Sequence, residues 1–238
     1  MAAVLVLAIC TTRARAGGLR IEPVMLDLNA PAMASFLTLH NGEDREMAVQ
    51  TRVFRWVQES GKEDLRPVSD VAVSPPIAMI QAGADYTVRV VRTVQRPVSG
   101  EESYRLWIDQ LPDARWYGQA GLNILIRQSI PVFFRAPGLS APNLAWSVVR
   151  AGGSWQVVAH NTGDEHVRIA SLSLTDDRGK TASSGRGLVG YVLGGSTMAF
   201  TFARTPPGFA ADGVVKVAVE STAGPMQAQA RVQDQSQR

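Results

Sequence analysis

From Leu19 onward, short runs rich in Val, Ile, Thr and aromatic residues alternate with Gly, Pro, Asn and Asp, and no stretch sustains a 3.6-residue helical period. In the first half these runs predict strands over 19–28, 35–41, 47–57, 86–94, 103–111 and 122–134. Asn41-Gly42 and Ser60-Gly61 mark turns between them. Within 122–134 the even positions Leu122, Ile124, Ile126 and Ile130 are apolar. The odd positions Asn123, Arg127 and Ser129 are polar, so a strand here would present one apolar face at period two.

Arg135-Ala136-Pro137-Gly138, followed by Pro142, interrupts the pattern, because proline lacks the N–H that a central strand needs. A second set of runs follows at 146–150, 155–160, 167–175, 191–203 and 214–221, with a polar tail after Met226 expected to fray. The chain therefore reads as all-β, with two immunoglobulin-like sandwiches divided into 17–136 and 137–238. Phe36–Gly42 and Val157–Gly163 both run from a strand through His-Asn into a turn. That similarity fits two copies of one topology, and it equally fits the general frequency of Asn at strand ends.

Residues 1–16 combine an apolar run from Ala2 to Cys10 with Ala14-Arg15-Ala16, a small-x-small pattern before Gly17. This is the form of a cleavable export signal, and the apolar run is far shorter than the ~20 residues a spanning helix needs. Bulky Ile9 before Cys10 argues against lipid attachment at that cysteine, so no membrane anchor is expected. Cleavage would remove Arg13 and Arg15, leaving 22 basic against 21 acidic residues, and would remove the single cysteine. The basic balance, with pI about 9.3, thus comes largely from the signal. No Lys/Arg block remains to form a nucleic-acid footprint.

Catalytic chemistry finds little footing. His40, His160 and His166 stand without a second His or Cys at ligand spacing, so no metal site is expected. Gly185-Arg186-Gly187-Leu188-Val189-Gly190 fits G-x-G-x-x-G but opens no predicted helix, and it reads as a loop. The neighbouring pairs Glu101-Glu102 and Asp176-Asp177 suit solvated positions better than acid–base work. No enzyme and no cofactor are implied.

Three stretches taken together resemble the PapD-like periplasmic chaperones of pilus and fimbrial assembly. They are Ser74-Pro75-Pro76-Ile77 leading to Thr87-Val88-Arg89-Val90-Val91-Arg92, then 102–112 (ESYRLWIDQLP), then Leu122-Asn123-Ile124-Leu125-Ile126 running to Ile130-Pro131-Val132-Phe133-Phe134-Arg135. The resemblance covers most of 19–137. It implies two sandwiches in a boomerang and residence in the periplasm. It also implies donation of the last long strand of the first sandwich to a subunit lacking its final strand, and delivery of that subunit to an outer-membrane usher. On this reading Leu122, Ile124, Ile126 and Ile130 fill the subunit groove.

Members of the family usually hold the subunit's terminal carboxylate with an Arg on the first strand and a Lys near the end of the donor strand. Met25 and Pro131 occupy those positions here. Arg20, Arg89, Arg92 and Arg127 are the alternative anchors that the resemblance offers. An interdomain trio is implied at Arg135, Glu101 or Glu102, and Asp212. The short stretch between Pro112 and Gly121 resembles the short-loop chaperones that build thick pili, whereas the Ile130-Pro131-Val132-Phe133 run and the Met25 and Pro131 departures are similar to the archaic branch. A rival reading stays open: an exported β-sandwich adhesion or carbohydrate-binding module, with Trp116-Tyr117 in a loop. The signal reading predicts that exported protein begins at Gly17. N-terminal sequencing checks this, and a retained, lipid-modified Cys10 would overturn it.

Overall fold

The structure is a computed structural model, and it describes residues 18–113, 124–151, 154–185, 187–202, 205–209 and 213–234. These residues form strands and turns with no helix among them. The first sandwich opens with β1 (Leu19–Glu22) and β2 (Leu26–Asn29), where one strand over 19–28 was expected. Pro23 cannot donate to a ladder, and the chain changes sheets there. β1 pairs with β3 (Ala34–Asn41), whereas β2 pairs in parallel with β10 (Arg127–Arg135). Leu19, Ile21, Leu26 and Leu28 consequently reach the same core from two layers.

Between them run β4 (Met47–Glu59), β5 (Lys62–Pro67), β6 (Val71–Ser74), β7 (Ile77–Ile80), β8 (Asp85–Arg92) and β9 (Glu101–Gln110). The sheets are ordered β1-β3-β8-β6 and β2-β10-β9-β4-β5, with β7 beside β4. β5, β6 and β7 were not anticipated. β5 is almost wholly polar or charged and exposed, and β6 and β7 are only four residues each, so none carries a clear apolar period. Leu37, Leu39, Val88, Val90, Leu106 and Ile108 alternate inward between the layers. Each such buried side chain stabilises by about 1.5–3 kcal/mol.

The second sandwich contains β11 (Leu144–Ala151), β12 (Ser154–Asn161), β13 (Val167–Thr175), β14 (Thr181–Ser183), β15 (Gly190–Val192), β16 (Thr197–Phe202), β17 (Val214–Ser221) and β18 (Gly224–Asp234). As far as Asp234 the tail expected to fray is instead β18, which carries Met226, Ala228 and Ala230 at period two, and residues 235–238 lie outside the described residues. Its first part pairs with β17 and its end pairs in parallel with β11, so the eight-stranded sheet folds over one core.

The paired His-Asn segments have the same physical role in both halves. Asn41 and Asn161 are fully buried at the ends of β3 and β12. Each Oδ1 accepts the backbone N–H two residues on, at 3.0 Å, and each Nδ2 donates to the carbonyl four residues on. Nδ2 also reaches across to Ile80 O in the first sandwich and to Val192 and Leu193 O in the second. One buried amide therefore satisfies a turn and the neighbouring strand in both places.

Charge is buried in the first sandwich at Arg92, which is wholly enclosed and donates from Nε and Nη2 to Glu102. Tyr104 Oη donates to Asp70 and Glu102, completing the network. Glu102 is thus committed to Arg92 and does not serve Arg135, contrary to the expectation of an interdomain role. Burial pushes its carboxyl upward, but the Arg92 hydrogen bonds and charge outweigh this and hold it below the usual carboxylate range.

The sandwiches meet around Trp56, Phe133, Tyr191 and Leu193, with Met25 and Leu65 packed against them. The His166 ring stacks on Phe133 at 3.7 Å, and its Nδ1 lies 2.8 Å from Glu101 Oε2. Arg135 donates to Asp27 and Glu165 and lies 3.9 Å from Glu101. Arg135 and Glu101 therefore stand at the junction, and Glu165 supplies the second sandwich's carboxylate. Asp212 lies outside the described residues. Gln58, buried, donates from Nε2 to Tyr191 O at 2.8 Å and accepts from Leu193 N at 2.9 Å, mimicking a strand pairing across the joint. The β4–β5 turn adds a bond from Ala199 N to Gly61 O at 3.0 Å. An added Cβ at Gly61 would press on Ala199 at 3.1 Å, and its φ of 77° also favours glycine.

Two outcomes follow from these contacts. Gln58→Ala leaves a buried N–H and C=O unpaired and should weaken coupling between the sandwiches by about 2–3 kcal/mol. Arg135→Ala, acting on a partly exposed cluster, should weaken it by about 1 kcal/mol or less. Small-angle scattering checks the ranking as a larger radius of gyration for the Gln58 variant, and the reverse order would refute it. The Glu102 pairing, with its lowered folded-state pKa, contributes stability that is present above the unfolded carboxylate value of about 4.3 and lost as pH falls below it. Urea midpoints from pH 6 to pH 3 should therefore fall more steeply for the natural chain than for Glu102→Gln.

Candidate functional site

β10 divides its residues among several environments. Ile130, Val132 and Phe134 enter the first core, Phe133 enters the joint, and Pro131 lines the cleft between the sandwiches. β2 pairs only with Val132–Arg135, whereas β9 accompanies β10 along its whole length. Among the described residues, the β10 edge from Arg127 to Pro131 therefore has no second strand. The segment just before it extends this free edge. Ile124, Leu125 and Ile126 are 68%, 46% and 49% exposed, three consecutive large apolar side chains without cover. Gln110 N donates to Ile126 O at 3.1 Å, which ties the segment to the end of β9.

Of the expected groove-filling residues, Ile124 and Ile126 are accessible and Leu122 lies outside the described residues. Ile130 is corrected: at 4% exposure it occupies the chain's own core and is not available to a partner. Leu125 is an apolar exposed neighbour that the even-numbered pattern passed over. Strict alternation favours one face, and Leu125 belongs to the other.

The outer face of β4, β9 and β10 descends from this segment toward the cleft in cross-strand rows. Gln50, Asp109 and Arg127 form one row, Arg52, Trp107 and Ser129 the next, and Phe54, Arg105 and Pro131 the third. Arg127 and Arg52 both donate to Asp109, the latter at 2.6 Å. Burial pushes the Asp109 carboxyl up, but the two guanidinium groups hold it below the ordinary range. The same cations lie on Trp107, at 3.9 Å and 5.5 Å from its ring. Such stacking satisfies the flat face of the cation while its edge bonds to carboxylate.

The cleft, about 740 Å³, is walled by Val24, Met25, Pro131, Pro142 and Leu188 and holds Arg105, Arg135 and Arg168. The four expected anchors fare differently. Arg127 stands on the face that leads into the cleft. Arg20 on β1 and Arg89 on β8 belong to the other sheet and are exposed, the latter over Phe36. Arg92 is corrected, because its enclosure with Glu102 leaves nothing for a partner. Arg105 was missed. A lone Arg among alternating core residues gives no signal until β9 is set against β10. Trp116 and Tyr117, the basis of the carbohydrate reading, lie outside the described residues. Among those described, no group of three or more His, Cys, Asp or Glu could hold a metal.

The chain is similar to solved structures along nearly its whole length. One is a chain of the chaperone–tip adhesion subunit pre-assembly complex CsuC–CsuE, from archaic chaperone-usher Csu pili of Acinetobacter baumannii. It has 25% identity and a TM-score of 0.68, with 92% of this chain and 100% of that chain covered. Another comes from the Salmonella enterica SafA pilin in complex with the SafB chaperone, at 21% identity and TM-score 0.61, covering 89% and 95%. The E. coli chaperone DraB shows the same fold at 19% identity and TM-score 0.56, covering 90% and 96%. No curated protein sequence matches the chain. Residues 18–140 match the family model for pili and flagellar-assembly chaperones, PapD N-terminal domain, and this protein therefore belongs to that chaperone family.

Proposed function

We propose that this chaperone caps an unassembled pilus or fimbrial subunit by strand addition and passes it to an outer-membrane usher. The observation that carries this reading is the exposed Ile124-Leu125-Ile126 segment running directly into the unpaired edge of β10. An edge of this kind offers backbone donors and acceptors to an incoming strand. Ile124 and Ile126 share strand parity with Ile130, Val132 and Phe134, so the apolar face that builds the chaperone's own core continues past its end toward a partner. A subunit that lacks one strand would close its open groove on these side chains. No cofactor, nucleotide or catalytic step is needed, since burial of apolar surface and ladder hydrogen bonds supply the binding.

In this reading 17–136 is the subunit-binding domain and 137–238 the second domain. The chain works in the periplasm after loss of residues 1–16, and it is of the archaic type. Similarity to a chain from an archaic chaperone–subunit complex supports the last point. Replacing Ile124 or Ile126 with Asp would place an unpaired charge in an apolar groove, at a cost of several kcal/mol. Subunit co-purifying with the chaperone should then fall at least tenfold, while Thr38→Asp, exposed on the opposite sheet, should leave it unchanged. Circular dichroism confirms that each variant is folded. Equal recovery for all three would exclude this segment as the donor.

A further inference from the structure

We infer that Asp109 is a positioning residue for strand capture: acting through Arg127, it fixes the stretch of β10 whose backbone stands open to an incoming strand. That role rests on the capping reading above and adds to it the group that holds the capping edge in place.

The direction in which the β10 backbone points follows from its register with β9. One step beyond the Arg127–Asp109 pair, Gln110 lies opposite Ile126, and Gln110 N donates to Ile126 O at 3.1 Å. In an antiparallel ladder such bonded pairs alternate with pairs that exchange no backbone bond. Asp109–Arg127 is therefore an unbonded pair, and Trp107–Ser129 is the next. The N–H and C=O of Arg127 and Ser129 consequently point away from β9, toward the side where, among the described residues, β10 has no second strand. Pro131, at the following unbonded position, has no N–H to offer, and Phe133 beyond it already lies in the stretch that pairs with β2. Arg127 and Ser129 are thus the β10 residues that present backbone donors to a partner.

With no backbone bond to β9 at Arg127, its side chain supplies the tie. Unbonded pairs bring opposing side chains close, and Arg127 Nε donates to Asp109 Oδ1. Arg52 on β4 donates to Asp109 Oδ2 at 2.6 Å and steadies the carboxylate from the other flank. The Asp109 side chain is 12% exposed against 49% for Arg127, so the anchor is enclosed while the residue it holds is at the surface. Burial raises the Asp109 pKa, but the two guanidinium groups outweigh this and keep the carboxylate ionised. Trp107 covers the face of the Arg127 guanidinium at 3.9 Å and leaves its edge for Asp109. Without the Asp109 charge, Arg52 and Arg127 would meet over Trp107 as like charges that have lost the acceptor they share.

Amide hydrogen exchange on the full mature chain reads the local effect. In Asp109→Asn the Gln110 amide, bonded to Ile126 O, should exchange about tenfold faster, while the Leu106 amide in the middle of β9 stays within about twofold. Asp109→Glu keeps the charge and should restore most of the Gln110 protection. Arg127→Gln removes the exposed partner, so it tests the same tie in a variant whose core is untouched. It should accelerate Gln110 by a similar factor, and the two substitutions together should do no more than Asp109→Asn alone. No acceleration at Gln110, equal acceleration at Leu106, equal effects of Asn and Glu, or additivity of the pair would overturn the positioning role.

Co-purification of subunit connects the edge to capture. Asp109→Asn should lower recovery on the order of fivefold, with Asp109→Glu close to the natural chain. Full recovery with Asp109→Asn alongside loss with Ile124→Asp would refute the positioning role and leave capping intact. Full recovery with both would refute capping and the Asp109 role with it.

Discussion

The period-two geometry of β10 is the constraint on which the rest of the molecule depends. A strand alternates its side chains, so one nine-residue segment packs Ile130, Val132 and Phe134 into the first core and Phe133 into the joint. Pro131 is left facing the cleft between those two commitments. Because β10 is fixed from both sides near its end, its free edge and the exposed Ile124-Leu125-Ile126 are held at a defined place relative to the cleft. In the proposed capping role, a segment anchored this way would pay little ordering cost compared with a loose loop.

The joint complements that constraint. Its centre is apolar and aromatic, its amide clasp at Gln58 behaves like an extra pair of ladder bonds, and its ionic cluster around Arg135 lies toward the cleft. The Gln58 bonds are enclosed and directional, whereas the Arg135 cluster is partly solvated. The same sheet therefore both orients the second sandwich and forms the basic wall of the cleft. Arg105 belongs to both, since it rests on Trp56 from the joint while facing the cleft.

Residue patterns alone revealed much of the fold. Alternation and turn residues marked β3, β4, β8, β9, β13 and β17 closely, and the Pro137 to Pro142 interruption falls between β10 and β11. The His-Asn similarity between 40–41 and 160–161 was visible but ambiguous, because its meaning lies in which carbonyls the buried amides reach. β18 was passed over since Gln and Ala alternate there, and small residues carry little hydrophobic signal even when Ala230 is buried. Tyr191 and Thr197 were read in one strand that Gly194 and Gly195 divide into β15 and β16.

Local sequence determined the all-β architecture and the apolar pattern of the segment before β10, because strand periodicity and turn chemistry act within a few residues. The three matching stretches also carried the family resemblance. Only the tertiary structure decided which charges are spent and which are available. Arg92, Arg105, Arg127 and Arg135 look alike in a β-rich sequence, yet one is enclosed with Glu102, two are paired with nearby carboxylates, and one rests on Trp56 without an acceptor at hydrogen-bond distance. The same holds for Ile126 and Ile130, which share strand parity and differ in whether the sandwich reaches far enough to cover them. Strand register and the extent of each layer set those outcomes, through contacts between residues up to more than 100 positions apart.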